Sequence, residues 1–278
     1  DNYLCKFEDI KNEEAEEVFF DSATEHQRLV VFKNPKFGRM MMLDGVTQTT
    51  EADEFIYHEM LAHVPILAHG NAKKVLIIGG GDGGMLREVL RHSSIEKCTM
   101  VEIDSSVVEL SKEYLPNHSQ GAFVDPRTNL VFNDGSAFAR EPDDLYDVMI
   151  VDSTDPIGPG EVLFQDTFYA NTRNCLHPDG ILVTQNGVPF LQADELRNSL
   201  MHLKQFFTDV SCFLATIPTY VGGPMAFGWA SNSKSHRSVD VEILTERFAQ
   251  SGISTRYYSP EVHKGAFALP PYISNLTE

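Results

Sequence analysis

The pattern of hydrophobic and polar residues changes at about residue 70. From Lys73 onward, short apolar runs alternate with amphipathic stretches; the runs are KVLII, CTMVEID, NLVFNDG, YDVMIVDSTDP and GILVTQNG. A continuous apolar run is typical of a parallel strand covered on both faces, and MLREVLRH places its apolar residues on one helical stripe. A helix near 192–206, a strand near 209–217, the run AFGWAS and a helix from about 240 follow. The alternation predicts a doubly wound α/β sheet over about 70–278.

The first 50 residues have a different pattern. HQRLVVFKN and FGRMMMLDGVTQTT are short β-rich runs interrupted by the turn-forming pairs NP and DG, which indicates a small antiparallel β domain. We therefore expect a β domain over 1–50 and an α/β domain over 51–278. The intervening TEAD has the form of a capping box, which predicts a helix that starts at Thr50. Its apolar residues lie on more than one side, so we expect a buried helix ending before Pro65.

Charge and cysteine content narrow the function classes. The chain has 22 basic and 40 acidic side chains and a formal net charge of −18, which argues against a nucleic-acid partner. This charge is compatible with a cationic substrate and also with the solubility of an ordinary acidic protein. The cysteines have no CxxC spacing, as expected for reduced cytosolic thiols rather than a disulfide framework or zinc site; they are Cys5, Cys98, Cys175 and Cys212.

Membrane and targeting signals are not evident in the sequence. No apolar run approaches the length of a membrane span, and the N-terminal residues do not resemble a signal peptide. We expect a cytoplasmic protein without a membrane partner. Because the numbering starts at Asp1 rather than methionine, we also expect residues to precede it.

Polar residues follow five of the predicted strands, and four of these strand ends carry a carboxylate. In a doubly wound sheet, ligands bind in the crevice beyond the carboxyl ends of the strands, so these residues are expected to converge on one site. The strand ends are Gly79–Gly84, Glu102 with Asp104, Asp134 with Gly135, Asp152 with Asp155, and Gln185 with Asn186.

The glycine-rich loop GGGDGG points to a nucleoside ligand. Its glycines allow a ligand to approach the backbone, and Glu102 ends the next strand, where an acidic residue accepts hydrogen bonds from ribose hydroxyls. Asp82 lies within the loop and would repel a pyrophosphate. A nucleoside with a positive group, such as a sulfonium compound, fits this loop better than a dinucleotide.

The carboxylate pair Asp152 and Asp155 has more than one interpretation. Paired carboxylates hold a divalent metal, a cation, or a proton removed from a substrate. No histidine is placed as a ligand in the predicted crevice, and no P-loop accompanies the pair. We therefore favour a cationic organic substrate and expect no metal.

The sequence resembles the polyamine aminopropyltransferases, and the resemblance extends from about Gln27 to FALPPYI near the C-terminus. The motifs that carry it are LDGVTQTTEADEFIYHEM, VLIIGGGDGG, VEID, DSTDPIGPGE and IPTYVGGPMAFGWAS. The resemblance implies a small β domain on a Rossmann-like, methyltransferase-type catalytic domain. It further implies that the substrates are putrescine and decarboxylated S-adenosylmethionine, a co-substrate, with no other cofactor. The implied products are spermidine and 5′-methylthioadenosine.

The resemblance also implies roles for individual residues. Asp152 matches the proton acceptor, and some relatives carry glutamine at the position of His58. From the residues alone, Asp134 before Gly135 also fits a common turn or helix-capping sequence. Tyr57 and His58 on a buried helix are more often core residues than ligands, and Tyr220 also fits a packed loop aromatic. The implied amine-binding residues are Tyr57, His58, Asp82, Asp155 and Tyr220. The implied thioadenosine-binding residues are Gln27, Gly79, Asp82, Glu102, Asp134, Gly135 and Pro159.

Several expectations accompany this function. The loop over about 153–164 contains PIGPG, and we expect it to be a lid over the bound substrates. By resemblance the protein is expected to be a homo-oligomer, with a dimer favoured. Alternative activities are aminopropyl transfer to cadaverine, agmatine or spermidine, methyl transfer from S-adenosylmethionine, and polyamine binding without catalysis.

Overall fold

The N-terminal part of the chain forms a four-stranded antiparallel sheet. The computed structural model describes residues 15–153 and 166–278. The strands of this first sheet lie in chain order: β1 (Glu17–Ala23), β2 (Arg28–Asn34), β3 (Gly38–Leu43) and β4 (Val46–Thr50). On one face Leu29, Val31 and Met41 pack with Val107 and Leu115 of the following unit. The predicted small antiparallel sheet is confirmed.

A seven-stranded sheet follows, in the order β10-β11-β9-β8-β5-β6-β7. The strands are β5 (Lys74–Gly79), β6 (Lys97–Glu102), β7 (Thr128–Phe132), β8 (Tyr146–Asp152), β9 (Leu176–Gln185), β10 (Asp209–Ala215) and β11 (Met225–Ser231). Strands β5 to β9 pair in parallel, whereas β11 runs antiparallel to β9 and β10. This is a Rossmann-like arrangement of the methyltransferase type, as predicted.

Both faces of the central sheet are covered by helices. Neighbouring residues of one strand belong to opposite faces: Ile77 packs in one apolar cluster and Ile78 in the other. The longer helices are α1 (Glu54–His69), α2 (Gly84–Leu90), α3 (Ser105–Tyr114), α5 (Gly135–Arg140), α6 (Asp166–Cys175), α7 (Ala193–Leu203), α9 (Val241–Ser251) and α10 (Pro260–Ala266). Three single-turn helices are α4 (Pro116–Ser119), α8 (Lys234–Arg237) and α11 (Pro271–Ser274).

Helix α1 is buried as predicted, but both of its predicted ends were wrong. Thr50 is the last residue of β4, and the helix begins at Glu54 after a turn. Pro65 lies inside the helix, which continues to His69. An interior proline costs a hydrogen bond and about 3 kcal/mol, and this cost is offset because Ile66 and Leu67 are buried in the main core. Thr50 does exchange hydrogen bonds with Asp53, donating to its side chain at 2.6 Å and accepting from its backbone N–H at 3.4 Å, but this pair closes the turn before the helix and not its first turn.

Among the described residues, no helix has both the length and the apolar character that a membrane crossing requires.

Candidate active site

The carboxyl ends of the parallel strands meet at one cavity of about 410 Å³, within the usual size range of small-molecule sites. The N-terminal sheet, helix α1 and the segment 217–225 complete its walls. Every described residue to which we assigned a site role lines this cavity: Gln27, Tyr57, His58, Gly79, Asp82, Glu102, Asp134, Gly135, Asp152 and Tyr220. Asp155, Pro159 and most of the predicted lid lie outside the described residues.

Asp152 ends strand β8 at the centre of the cavity wall. Its Oδ1 accepts a hydrogen bond of 2.6 Å from the Tyr57 hydroxyl. Burial raises the pKa of Asp152 to about 6; the His58 charge and the Tyr57 hydrogen bond oppose this rise. Burial and the Asp152 charge raise the pKa of Tyr57 well above its usual value, so Tyr57 remains a neutral donor. Asp152 can therefore gain or lose a proton near neutral pH.

His58 connects helix α1 to the glycine-rich loop. Its Nδ1 lies 2.5 Å from Oε2 of Glu54, and its Nε2 lies 3.5 Å from Oδ2 of Asp82. The other Asp82 oxygen accepts from the backbone N–H of Gly84 at 2.8 Å. Burial lowers the pKa of His58, but Asp82 and Glu54 outweigh it and raise the pKa to about 9.

Glu102 and Gln27 form the side of the cavity next to the N-terminal sheet. Glu102 Oε1 accepts from the backbone N–H of Asp104 at 3.0 Å, and burial raises the pKa of Glu102 to about 7. Asp104 also receives a bond of 2.7 Å from Thr24 and one of 3.4 Å from Gln27. These contacts hold Gln27 beside the carboxylate that we expect to bind a ribose.

Asp134 combines the two interpretations that its sequence allowed. Its carboxylate accepts from the backbone N–H of Ala137 at 2.9 Å, which caps helix α5. Asp134 and Gly135 nevertheless line the cavity. A helix-capping aspartate at this position is compatible with a ligand-binding role, which stays a prediction.

The segment that carries Tyr220 is attached to the start of helix α1. Asp53 Oδ2 accepts from the backbone N–H of Thr219 at 2.8 Å and from its hydroxyl, while Oδ1 accepts from Thr50 at 2.6 Å. The Tyr220 hydroxyl donates to the backbone carbonyl of Gln48. Two attachments therefore hold Tyr220 over the cavity.

Among the described cavity residues to which the sequence pattern assigned no role, Asp53 and Glu54 are the charged ones. For Glu54 a signal was present, since its spacing of four residues from His58 places both side chains on one side of a helix. For Asp53 the local sequence favoured a capping role, and its actual partner Thr219 is 166 residues away.

A second group of potential metal ligands lies apart from this cavity. A ring nitrogen of His69, a ring nitrogen of His236 and a carboxylate oxygen of Asp179 lie within 4.8 Å of one another. None of these three residues lines the cavity. The expectation that the reaction requires no metal stays a prediction.

Comparison with known protein families explains the convergence of these residues. Residues 54–241 match the spermine/spermidine synthase domain, and residues 14–51 match the spermidine synthase tetramerisation domain. The chain belongs to the spermine/spermidine synthase family. This membership confirms the resemblance, and the two matched segments cover both sheets.

Relatives in the family align over nearly the whole chain. A polyamine aminopropyltransferase from a Ruegeria species is 65% identical over 260 residues, which cover 94% of this chain and 92% of the relative. Polyamine aminopropyltransferase 1 of Pseudomonas aeruginosa is 60% identical over 250 residues, covering 90% and 87%.

Solved spermidine synthase structures have the same fold. One, in complex with the transition-state analogue AdoDATO, superposes with a TM-score of 0.89 at 38% identity and covers 95% of this chain and 89% of that chain. The enzyme from Thermotoga maritima gives a TM-score of 0.88 at 38% identity, covering 95% and 88%.

Proposed function

We propose that this protein is a spermidine synthase. It transfers the aminopropyl group of decarboxylated S-adenosylmethionine to putrescine and releases spermidine and 5′-methylthioadenosine. The observation that carries the proposal is that Asp152, Asp82 and Glu102 line one cavity. In the proposed reaction Asp152 is the base, Asp82 binds the aminopropyl ammonium and Glu102 binds the nucleoside. Names of close relatives and of structural neighbours support the same reaction.

The acceptor amine must lose a proton before it can react. An alkylammonium has a pKa of about 10 and no lone pair, and Asp152 takes its proton directly or through water. The raised pKa of Asp152 lowers the free-energy cost of this proton transfer, because it reduces the difference between the pKa of the base and that of the ammonium. The amine nitrogen then forms a bond to the carbon beside the sulfonium. The carbon–sulfur bond breaks, and its electron pair leaves with a neutral thioether.

The donor occupies the side of the cavity formed by the glycine-rich loop and strands β6 and β7. Glu102 accepts from the ribose hydroxyls, while Gln27, Asp134 and Gly135 contact the thioadenosine. Asp82 binds the aminopropyl ammonium. It also discriminates against ordinary S-adenosylmethionine, because the additional carboxylate of that compound would face a carboxylate.

The acceptor occupies the side formed by helix α1 and the segment that carries Tyr220. The rings of Tyr57 and Tyr220 contact each other edge to face, with centroids 6.4 Å apart. This aromatic wall suits the methylene chain of a diamine. The proposed acceptor is putrescine, with Asp155 as a further predicted contact of its amine.

A substrate panel tests the proposal. The protein is incubated with decarboxylated S-adenosylmethionine and with putrescine, cadaverine, agmatine or spermidine in turn, and products are identified by mass. We expect spermidine from putrescine as the main product. Preference for another amine would change the acceptor, methyl transfer from S-adenosylmethionine would reject the aminopropyl reaction, and binding without turnover would indicate a polyamine-binding protein.

Removal of the Asp53 carboxylate is expected to weaken acceptor binding selectively. Asp53→Ala removes the two hydrogen bonds that attach Thr219, the neighbour of Tyr220, to the start of helix α1, together with a buried bond from Thr50. Hydrogen bonds to a charged group contribute about 1.5–3 kcal/mol each, so we expect KM for putrescine to rise by about tenfold or more. Methylthioadenosine affinity, measured by calorimetry, should stay unchanged.

Thr219→Val is the matched control for this prediction. It removes the hydroxyl contact but keeps the backbone N–H donor to Asp53, so the rise in KM should be smaller. An equal loss of methylthioadenosine affinity in Asp53→Ala would show a general disturbance of the cavity and contradict the positioning role.

We further propose that the protein is a homo-oligomer that works in the cytoplasm. The match of residues 14–51 to a tetramerisation domain supports an assembly through the N-terminal part of the chain. Native mass spectrometry distinguishes the dimer expected from the resemblance from the tetramer that the matched domain describes, and a monomer would reject the assembly.

A further inference from the structure

His58 has carboxylates on both sides of its ring. Nδ1 faces Oε2 of Glu54 at 2.5 Å, and Nε2 faces Oδ2 of Asp82 at 3.5 Å. A neutral imidazole has one N–H donor and one lone pair, so it would direct its lone pair at one of these carboxylates. A doubly protonated ring directs a donor at both. The arrangement is therefore that of an imidazolium between two carboxylates.

The other groups around the ring favour the same state. Asp152 of β8 adds a negative charge, Tyr57 is neutral, and the Arg87 guanidinium of α2 lies beyond Glu54, to which it donates at 2.8 Å. The ring of His118 in α4 is 6.5 Å away, and burial lowers its pKa, so it carries no charge at neutral pH. With 3% of its side chain exposed, His58 has little water to compete with these partners.

The substrate ammonium needs the position that this proton occupies. Asp82 Oδ1 is used by the backbone N–H of Gly84, which leaves Oδ2 for the aminopropyl ammonium. An imidazolium already faces this oxygen, and two cations on one carboxylate oxygen repel each other strongly at the low dielectric of a buried site.

We propose that the aminopropyl ammonium of the donor replaces a proton held between His58 and Asp82 in the substrate-free protein. This inference rests on the proposed function. On binding, the proton leaves Nε2 for solvent, and the ammonium takes its place beside Asp82. His58 becomes neutral, keeps its Nδ1 hydrogen on Glu54, and accepts a hydrogen bond from the ammonium through the Nε2 lone pair. One positive charge replaces another beside Asp82, and the sulfonium of the donor is the only charge that the cavity gains.

Glu54 is a positioning residue in this exchange. Its contact with Nδ1 determines which ring nitrogen retains hydrogen when the proton leaves. Burial raises the pKa of Glu54, but His58 and Arg87 outweigh it and lower the pKa to about 2, so Glu54 stays charged throughout.

Calorimetry tests the exchange. Decarboxylated S-adenosylmethionine is titrated into the protein without an acceptor amine at pH 7.5, in buffers of different ionisation enthalpy. The dependence of the observed heat on that enthalpy gives the number of protons released. We expect about one proton for the wild type and almost none for His58→Gln. Methylthioadenosine has no ammonium group and should release at most the fraction of a proton that Glu102, with a pKa of about 7, loses on binding the ribose; this fraction should be equal for both proteins.

A pH series provides an independent measurement. Between pH 7 and 8.5 the affinity of the wild type for the donor should rise by about tenfold per pH unit, because one proton competes with the ligand. The affinity of His58→Gln should be nearly constant. Glu54→Gln should release less than one proton, since loss of its charge lowers the proton affinity of His58. His118→Gln is the matched control and should behave like the wild type.

Each outcome has a distinct meaning. Donor binding without proton release by the wild type, or with equal release by His58→Gln, would overturn the exchange and leave the proposed function intact. If methylthioadenosine bound and decarboxylated S-adenosylmethionine did not, the proposed donor would be rejected together with the exchange.

Discussion

Asp152→Asn is expected to lower kcat by about a thousandfold, within the range of 10²–10⁴ that a positioned general base contributes. The substitution preserves the shape of the side chain, and the amide oxygen can still accept from the Tyr57 hydroxyl, which is 2.6 Å from Oδ1 in the wild type. It removes the ability to take a proton from the acceptor. The affinity for methylthioadenosine should therefore remain within about twofold of the wild type.

The pH dependence provides the diagnostic measurement. Asp152 is a carboxylate above its pKa of about 6, so the wild-type kcat/KM for putrescine, measured at saturating decarboxylated S-adenosylmethionine, should fall as pH decreases through about 6. This acid limb should be absent from any residual activity of Asp152→Asn. In Tyr57→Phe the acid limb should move to higher pH, because the lost hydrogen bond stabilised the carboxylate. Preserved turnover in Asp152→Asn would remove Asp152 from the base role.

The sequence was sufficient to predict that acidic residues converge at one edge of the sheet. Glu102 and Asp152 each end an apolar parallel strand, and the carboxyl ends of parallel strands lie at the same edge. The sequence signal is a continuous apolar run that ends in an acidic residue, and it is strong because both strands are buried on both faces. The position of Gln27 at this edge was predictable only through the family resemblance, since Gln27 lies in the connection between β1 and β2 of the other sheet.

Contacts between distant segments were not predictable from local pattern. Thr50 and Asp53 have the spacing of a capping box, yet the Asp53 carboxylate contacts Thr219, which only the folded chain brings close. A proline usually ends a helix, but helix α1 continues past Pro65 because Ile66 and Leu67 are buried in the core. In both cases tertiary packing outweighs a local preference.

The protonation state of the His58 ring is a further property that the sequence pattern did not indicate. A histidine on a buried helix is more often a packing residue, and here the helix provides Glu54 one turn earlier while the glycine-rich loop provides Asp82. The charge of the ring follows from these two carboxylates, one local in sequence and one brought by the fold. Helix α1 and the glycine-rich loop therefore together determine the charges that surround the ring.

Gly79→Ala is expected to be the most destabilising substitution at the site. A Cβ at this position would lie 2.1 Å from the backbone oxygen of Asp152, and φ is +87°. Gly79 pairs with Asp152 between β5 and β8, so the clash cannot be relieved without separating two central strands. We expect a loss of stability of about 3–5 kcal/mol, the range of severe core disruptions, and loss of activity through displacement of Asp152.

Gly45→Ala is the matched control, because Gly45 has a similar φ of +82° and no atom within 4 Å of the added Cβ. Its free energy of unfolding should fall only by the cost of placing a residue with a Cβ in the left-handed conformation, about 1–2 kcal/mol. The difference between the two variants in urea or thermal unfolding measures the clash alone. Equal losses would show that the two strands can separate without penalty, which would contradict a rigid junction between the glycine-rich loop and Asp152.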